Sequence, residues 1–207
     1  MKTIAIVPAR LASTRFPNKP LADILGLPMI EHIRRRVKLC SLISEVIVAT
    51  CDQEIFDAVE EFGGRAVMTS AAHERGTDRI AEVAVKLEAD VFINVQGDEP
   101  LVNPAIFDPL LAPLVMDSDL QCTNEMVEIS APEEFKSVNV VKTVCDSKGN
   151  ALYFSREPIP SISKAGSLKF RKLKQLGIYA FRSCFLQQFT KYRPRCWSRW
   201  DRLICCG

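Results

Sequence analysis

Three stretches of the chain collect residue types that handle phosphate and metal. In VPARLASTRFPNKPLADI, residues 7–24, the loop Pro8–Pro20 carries Arg10, Arg15 and Lys19 beside Ala9, Ala12, Ser13 and Thr14. Guanidinium groups grip phosphate oxygens in a fork, an ammonium acts as a mobile point charge, and small side chains let backbone amides approach a ligand. The loop suits a triphosphate; on spacing alone it also suits a solvated surface loop. It matches neither the Walker pattern nor the Gly-x-Gly-x-x-Gly turn. QGDEP, Gln96–Pro100, sets Asp98 and Glu99 directly after an apolar run. Carboxylates so placed commonly hold Mg²⁺ together with substrate phosphate oxygens, and the same residues also make an ordinary turn. In SAAHERGTDR, Ser70–Arg79, Gly76 and Thr77 could offer amides to a base or ribose at a helix start. His73 reads as a polar residue on the surface and receives no catalytic role. Cations and a metal-binding acid on one rim would point to metal–nucleotide chemistry.

The elements that must position these loops are legible from periodicity. TIAIV (3–7), EVIVAT (45–50) and DVFINVQ (90–96) are continuously apolar, as strands buried on both faces of a parallel sheet are. RAVMTS (65–70) reads as a shorter strand. Between them lie helical patterns. MIEHIRRRVKL buries Met29, Ile30, Ile33 and Val37 and turns Arg34–Arg36 outward. QEIFDAVEEFGG has the stripe Ile55, Val59, Phe62 and a Gly63–Gly64 stop. TDRIAEVAVKLEA has Ile80, Ala84 and Leu87, with Thr77 or Asp78 as cap. The alternation predicts an α/β fold: an open, mostly parallel sheet with helices on both faces, whose ligands sit beyond the carboxyl ends of the strands. The three loops, 8–20, 69–79 and 96–100, each follow a strand and should share one rim.

The second half is less regular. Asn103–Pro104 opens a helix that Pro109 and Pro113 should interrupt. NVVKTVCD (139–146), SKGN and ALYFS (151–155) read as a hairpin. A polar loop spans about 156–170, KQLGIYAF (174–181) is a strand, and a helix follows near 182–189.

Composition narrows the classes. The chain has 207 residues, 47% apolar and 25% charged, and a net charge of +2, which fits an ordinary globular protein and argues against nucleic-acid binding. No apolar run spans a bilayer, and no signal-peptide pattern opens the chain, so no membrane partner is expected. Eight irregularly spaced cysteines fit a reduced, cytoplasmic setting.

Five segments in order, VPARLASTRFPNKPLADILGLPMIEHI, VIVATCDQEI, GGRAVMTSAAHERGTDRIAEV, NVQGDEP and ALYFSREPIP, resemble the sugar-activating cytidylyltransferases, most closely the group that activates the eight-carbon sugar acid 3-deoxy-manno-octulosonate (KDO). The resemblance covers about residues 2–190. It implies a nucleotide-diphospho-sugar transferase-like fold with a smaller β-rich appendage near 139–180, and transfer of CMP from CTP to the KDO anomeric hydroxyl with release of pyrophosphate. Mg²⁺ would be the cofactor, lipopolysaccharide precursor synthesis the setting, and a homodimer the assembly. Carried over residue by residue, Arg10, Arg15 and Lys19 would hold the triphosphate with Ser13 nearby. Ser70, Gly76, Thr77 and Asp78 would line the nucleoside, Asp98 would bind the metal, and Gln96, Arg156 and Tyr179 would face the sugar acid. The alternatives are activation of another keto sugar acid, nonulosonic or 8-amino KDO, and a catalytically impaired nucleotide-binding remnant.

The chain departs from the family pattern at three places. Cys51 stands where the family usually has Asp after Val-Ala-Thr. Gln175 precedes Leu-Gly-Ile-Tyr where many members have His. Residues 191–207, KYRPRCWSRWDRLICCG, replace a segment resembling Ser-Val-Asp-Met-Leu-Arg, whose Asp would supply a second metal ligand. Codons allowed for Trp200–Gly207, read two bases along, can spell Gly-Ser-Val-Asp-Met-Leu-Arg, so an out-of-frame tail is the expectation. Cys196, Cys205 and Cys206 lack the paired spacing of a zinc site.

Overall fold

The computed structural model describes residues 1–12, 16–161 and 170–191. Ser13, Arg15, part of the polar loop at 156–170 and the tail beyond Lys191 lie outside the described residues. In chain order the elements are β1 (Thr3–Ala9), β2 (Asp23–Ile24), β3 (Leu27–Pro28), α1 (Met29–Lys38), β4 (Glu45–Thr50), α2 (Gln53–Glu61), β5 (Arg65–Met68), α3 (Gly76–Ala84), β6 (Val91–Asn94), α4 (Phe107–Met116), β7 (Cys122–Glu128), α5 (Pro132–Lys136), β8 (Lys142–Cys145), β9 (Ala151–Ser155), β10 (Leu173–Arg182) and α6 (Ser183–Phe189). The chain divides into two units, Met1–Thr123 with Gly177–Lys191, and Asn124–Leu176. Among the described residues no helix is long and apolar enough to cross a membrane.

In the first unit the strand order is β5-β4-β1-β6-β10. β1 runs parallel to β4 and β6, β4 runs parallel to β5, and β10 is antiparallel to β6. The alternation of strand side chains fills both faces. Ala5, Val7, Val46, Val48, Val91 and Ile93 join one core cluster with Ile30, Ile33 and Val37 of α1, Ile55 and Val59 of α2, and Leu110, Leu111 and Leu114 of α4. The intervening Ile4, Ile6, Ile47, Phe92 and Phe181 are also buried. They lie on the face where α3 contacts β1, β6 and α6. The mostly parallel sheet with helices on both faces is therefore present as expected.

Several local expectations are corrected. Arg34 is buried rather than turned outward. It falls on the stripe Ile30, Ile33, Arg34, Val37, and fully buried Glu31 receives its Nε and Nη2 at 2.6 Å each. Burial alone would raise the Glu31 pKa; hydrogen bonds from Arg34 and Arg35 overcome this and hold it below the usual carboxylate range. Helix α3 begins at Gly76 after Arg75, without a side-chain cap, so Thr77 and Asp78 lie in the first turn rather than at the cap. It ends at Ala84, short of the expected run. The prolines do not interrupt α4. Pro109 occupies the first turn, where a missing N–H costs nothing. Pro113 sits inside one continuous helix that buries Phe107, Leu110, Leu111 and Leu114. Asn103 caps the 3-10 turn before it by accepting the Ala105 amide at 3.1 Å.

In the second unit β8 and β9 form the expected hairpin, with Thr143 opposite Phe154. Asp146 closes its turn by accepting the amides of Lys148 and Asn150 at 2.8 and 2.9 Å. Lys142 is fully buried, and its ammonium donates to the carbonyls of Ser137, Val140 and Arg156. Strand β7 and helix α5 were not anticipated.

Candidate active site

The carboxyl ends of β1, β4, β5 and β6 define one rim of the first unit, and each of the expected loops leaves from it. The antiparallel β10 brings its Tyr179 opposite Asn94 at the same end of β6. This is the place in a parallel sheet where strand connections diverge and open a crevice.

The described ends of the first loop are held by contacts from both sides. The Leu11 amide donates to Asp52 Oδ2 at 2.8 Å, tying it to the end of β4. Asn18, at φ 56°, then turns the chain into a 3-10 segment, Lys19–Leu21. From there Lys19 Nζ reaches Asp98 Oδ2 at 3.1 Å. The pair is partly solvated, with side-chain exposures of 34% and 56%. Arg10 follows β1 directly and is exposed. Asp98 owes its place to Gly97: a Cβ there would lie 2.6 Å from the Pro8 carbonyl oxygen, so only glycine lets the loop press against the end of β1. Burial, with the Asp98 charge second, pushes Glu99 above the usual carboxylate range. Asp98, which already faces the Lys19 ammonium, is the carboxylate of this loop best placed for a cation.

The third loop is held from behind. Thr69 donates its hydroxyl to the Thr50 carbonyl at 3.0 Å and accepts from Arg79. The Ser70 amide donates to Glu82 Oε2 at 3.0 Å, and the Ser70 hydroxyl accepts the Ala72 amide at 3.2 Å. His73 Nε2 lies 2.6 Å from the same Glu82 oxygen, so His73 is a loop brace rather than idle surface. Gly76 packs against the Pro8 ring, where a Cβ would sit at 3.1 Å. Thr77 is 3% exposed, and its Oγ1 has no hydrogen-bond partner among the described residues. Asp78 is half-buried one residue on.

Gln96 donates through Nε2 to the Gly177 carbonyl at 3.0 Å, joining the β6 loop to β10. Tyr179 is buried, and its ring stacks on Phe181 with centroids 5.9 Å apart. The first unit therefore brings Arg10, Lys19, Ser70, Gly76, Thr77, Asp78, Gln96, Asp98 and Tyr179 to the strand ends of one sheet. Arg156 belongs to the second unit, where its Nη1 donates to the Val138 carbonyl at 2.8 Å. Ser13 and Arg15 lie outside the described residues. Sequence reasoning missed Asp52, Arg79, Glu82 and the role of Gly97. Their partners are too distant along the chain for any spacing rule, although a glycine directly after a buried strand signals a close backbone approach.

Beyond its geometry, the chain matches a family model described as Cytidylyltransferase over residues 4–203. The chain belongs to the cytidylyltransferase family. Within that family it is 48% identical over 203 residues to the 3-deoxy-manno-octulosonate cytidylyltransferase of Geobacter metallireducens, covering 94% of this chain and 80% of the relative. The protein of the same name from Geotalea uraniireducens is 51% identical, at 94% and 81% coverage. A solved structure of CMP:2-keto-3-deoxy-manno-octonic acid synthetase complexed with CTP superposes with a TM-score of 0.92 at 42% identity. It covers 98% of this chain and 83% of that one. As a cytidylyltransferase, this chain is a nucleotidyl-transferring enzyme by family.

Proposed function

We propose that this cytidylyltransferase transfers CMP from CTP to the anomeric hydroxyl of 3-deoxy-manno-octulosonate, in the cytoplasm, for lipopolysaccharide precursor synthesis. The observation that carries the reading is the meeting of Lys19 and Asp98 at 3.1 Å on the rim, in a chain so similar to a synthetase solved with CTP. In the reaction the anomeric oxygen attacks the α-phosphorus. The bond to the β-phosphate oxygen breaks, pyrophosphate leaves, and the hydroxyl proton passes to solvent. An anionic sugar acid approaches an anionic triphosphate, so repulsion is a major obstacle, and fixed cations lower it. Arg10 and Lys19 would bind the triphosphate and hold charge on the leaving pyrophosphate. The Ser70 loop and the start of α3 would receive the nucleoside, and Gln96 would face the sugar acid.

The donor set fits Mg²⁺. Among the described residues no cluster of three or more His, Cys, Asp or Glu forms an all-protein cage. A single rim carboxylate, Asp98, suits an ion that completes its octahedron with phosphate oxygens and water. When bound, Mg²⁺ would supply Lewis-acid stabilisation of the phosphate charge. Lys19 would then exchange Asp98 for phosphate as its partner.

The test is pyrophosphate release by the full chain with CTP and KDO, with and without Mg²⁺, and with 8-amino KDO as a second acceptor because Gln175 departs from the family pattern. Mg²⁺-dependent release that requires KDO supports the reading. Release only with 8-amino KDO would reassign the sugar, and CTP binding without turnover on either acceptor would overturn the catalytic reading.

A further inference from the structure

Helix α3 does more than link β5 to β6. Arg79 and Glu82, one turn apart, both reach back to the loop that precedes their own helix, and they grip consecutive residues. Arg79 is 3% exposed. Its Nη1 donates to Thr69 Oγ1 and its Nη2 to Cys51 Sγ at 3.4 Å. Glu82 Oε2 takes the Ser70 amide at 3.0 Å and His73 Nε2 at 2.6 Å. The loop between them, Ser70-Ala71-Ala72, is exposed and has no bulky apolar side chain to bury. Packing therefore cannot fix its shape; the polar braces do. Of these braces Arg79 is buried, while His73 and Glu82 are half-buried. The Ser70 hydroxyl already accepts the Ala72 amide at 3.2 Å, which leaves its hydrogen to donate to a ligand. Burying a guanidinium is costly unless it is well paired, yet among the described residues Arg79 makes no ion pair. A carboxylate brace and a buried cation spent on a short surface loop make sense where that loop's position matters to a bound molecule.

We propose that Arg79 and Glu82, with His73, are positioning residues that hold the Ser70 loop in the shape that receives the nucleoside half of CTP. The inference rests on reading the rim as a CTP site. Accepting the Ser70 amide, more than the contact with His73, holds the Glu82 carboxyl below the usual carboxylate range against its burial. The brace is therefore charged at neutral pH. Both side chains act through the loop they hold, Arg79 through Thr69 and Glu82 through Ser70 and His73.

The experiment compares affinities for two probes, CTP and inorganic pyrophosphate, by calorimetry in Mg²⁺ on the full chain. The nucleoside side is present only in the first probe. Glu82→Ala should weaken CTP at least tenfold and leave pyrophosphate within twofold. Glu82→Gln should recover most of that loss, because its amide oxygen still accepts the Ser70 N–H. His73→Gln, a milder change that keeps a side-chain donor, should weaken CTP by a smaller factor in the same selective way. It serves as the folded comparison if Glu82→Ala does not fold. Equal weakening of both probes would mean a general structural role and would overturn the proposal, as would unchanged CTP binding in the variants. A wild-type chain that binds neither probe would fell the CTP reading and this inference together. Failure confined to the variants would fell this inference alone.

Discussion

Lys19 Nζ lies 3.1 Å from Asp98 Oδ2, joining residues on two different loops of the rim. At their exposure such a pair contributes only about 0–1 kcal/mol to stability. Its significance is therefore where it puts charge. Removing a fixed donor to developing negative charge typically costs about 10²–10³ in rate. Lys19→Ala should thus lower kcat/KM for pyrophosphate release by about a hundredfold or more. The melting temperature should move by no more than about 4 °C. Steady-state kinetics beside thermal unfolding checks both halves.

Gly97 is the spacer that sets Asp98. Gly97→Ala would drive a methyl group to 2.6 Å from the Pro8 carbonyl oxygen, a backbone atom that cannot swing aside. The β6 loop must shift. Overpacking of this kind costs about 1–3 kcal/mol. Urea unfolding should register that loss, and CTP affinity in Mg²⁺ should fall with it because the carboxylate moves away from Lys19.

Cys51 offers the buried Arg79 guanidinium only a thiol, at 3.4 Å. Cys51→Asp would give the cation a carboxylate. Hydrogen bonds to charged groups contribute about 1.5–3 kcal/mol, so the variant should be more stable than the natural chain by an amount in that range. Differential scanning calorimetry should show a higher melting temperature; an unchanged or lower one would mean that Thr69 already satisfies Arg79.

The Glu82 brace has a defined pH sign. Its folded pKa is lowered, first by the Ser70 amide and further by His73. A lowered carboxylate contributes stability that is fully present above the ordinary value of 4.5 and is lost as pH falls through the folded value. Protection of the Ser70 amide from hydrogen exchange should be flat from neutrality down to pH 4.5 and should collapse only below it. In Glu82→Gln that acid step should disappear.

The central sheet was legible because its strands are unusually plain. Thr3–Ala9, Glu45–Thr50 and Val91–Asn94 are apolar on both faces, so no register choice or amphipathic ambiguity arises. Strand β7, CTNEMVE, reads as half polar, and it is a strand because it pairs with β10, far along the chain. The α1 stripe was read one residue too narrow. Arginine at position 34 looked like solvent-facing charge, and only the buried Glu31 carboxylate makes its burial affordable. Pro113 looked like a helix stop because propensity is local, while the core contacts of Leu110, Leu111 and Leu114 are not.

At the site, residue type pointed to Arg10, Lys19 and Asp98 as groups with obvious chemistry, and the family resemblance added Ser70. It could not identify those that hold them. The hydrogen bond from Leu11 to Asp52 spans 41 positions, and that from Arg79 to Cys51 spans 28. His73 shows the limit most clearly. Alone in the sequence it is an ordinary polar residue, and only the carboxylate two turns into the next helix gives it a task.

The most direct measurement is a calorimetric titration of CTP into the full chain and into Asp98→Asn, each with and without Mg²⁺. The account predicts tight binding to the natural chain in Mg²⁺ and much weaker binding without the ion. In Asp98→Asn the added ion should make no difference. An equal Mg²⁺ dependence in the natural chain and the variant, or no heat from Mg²⁺-loaded CTP at all, would contradict it.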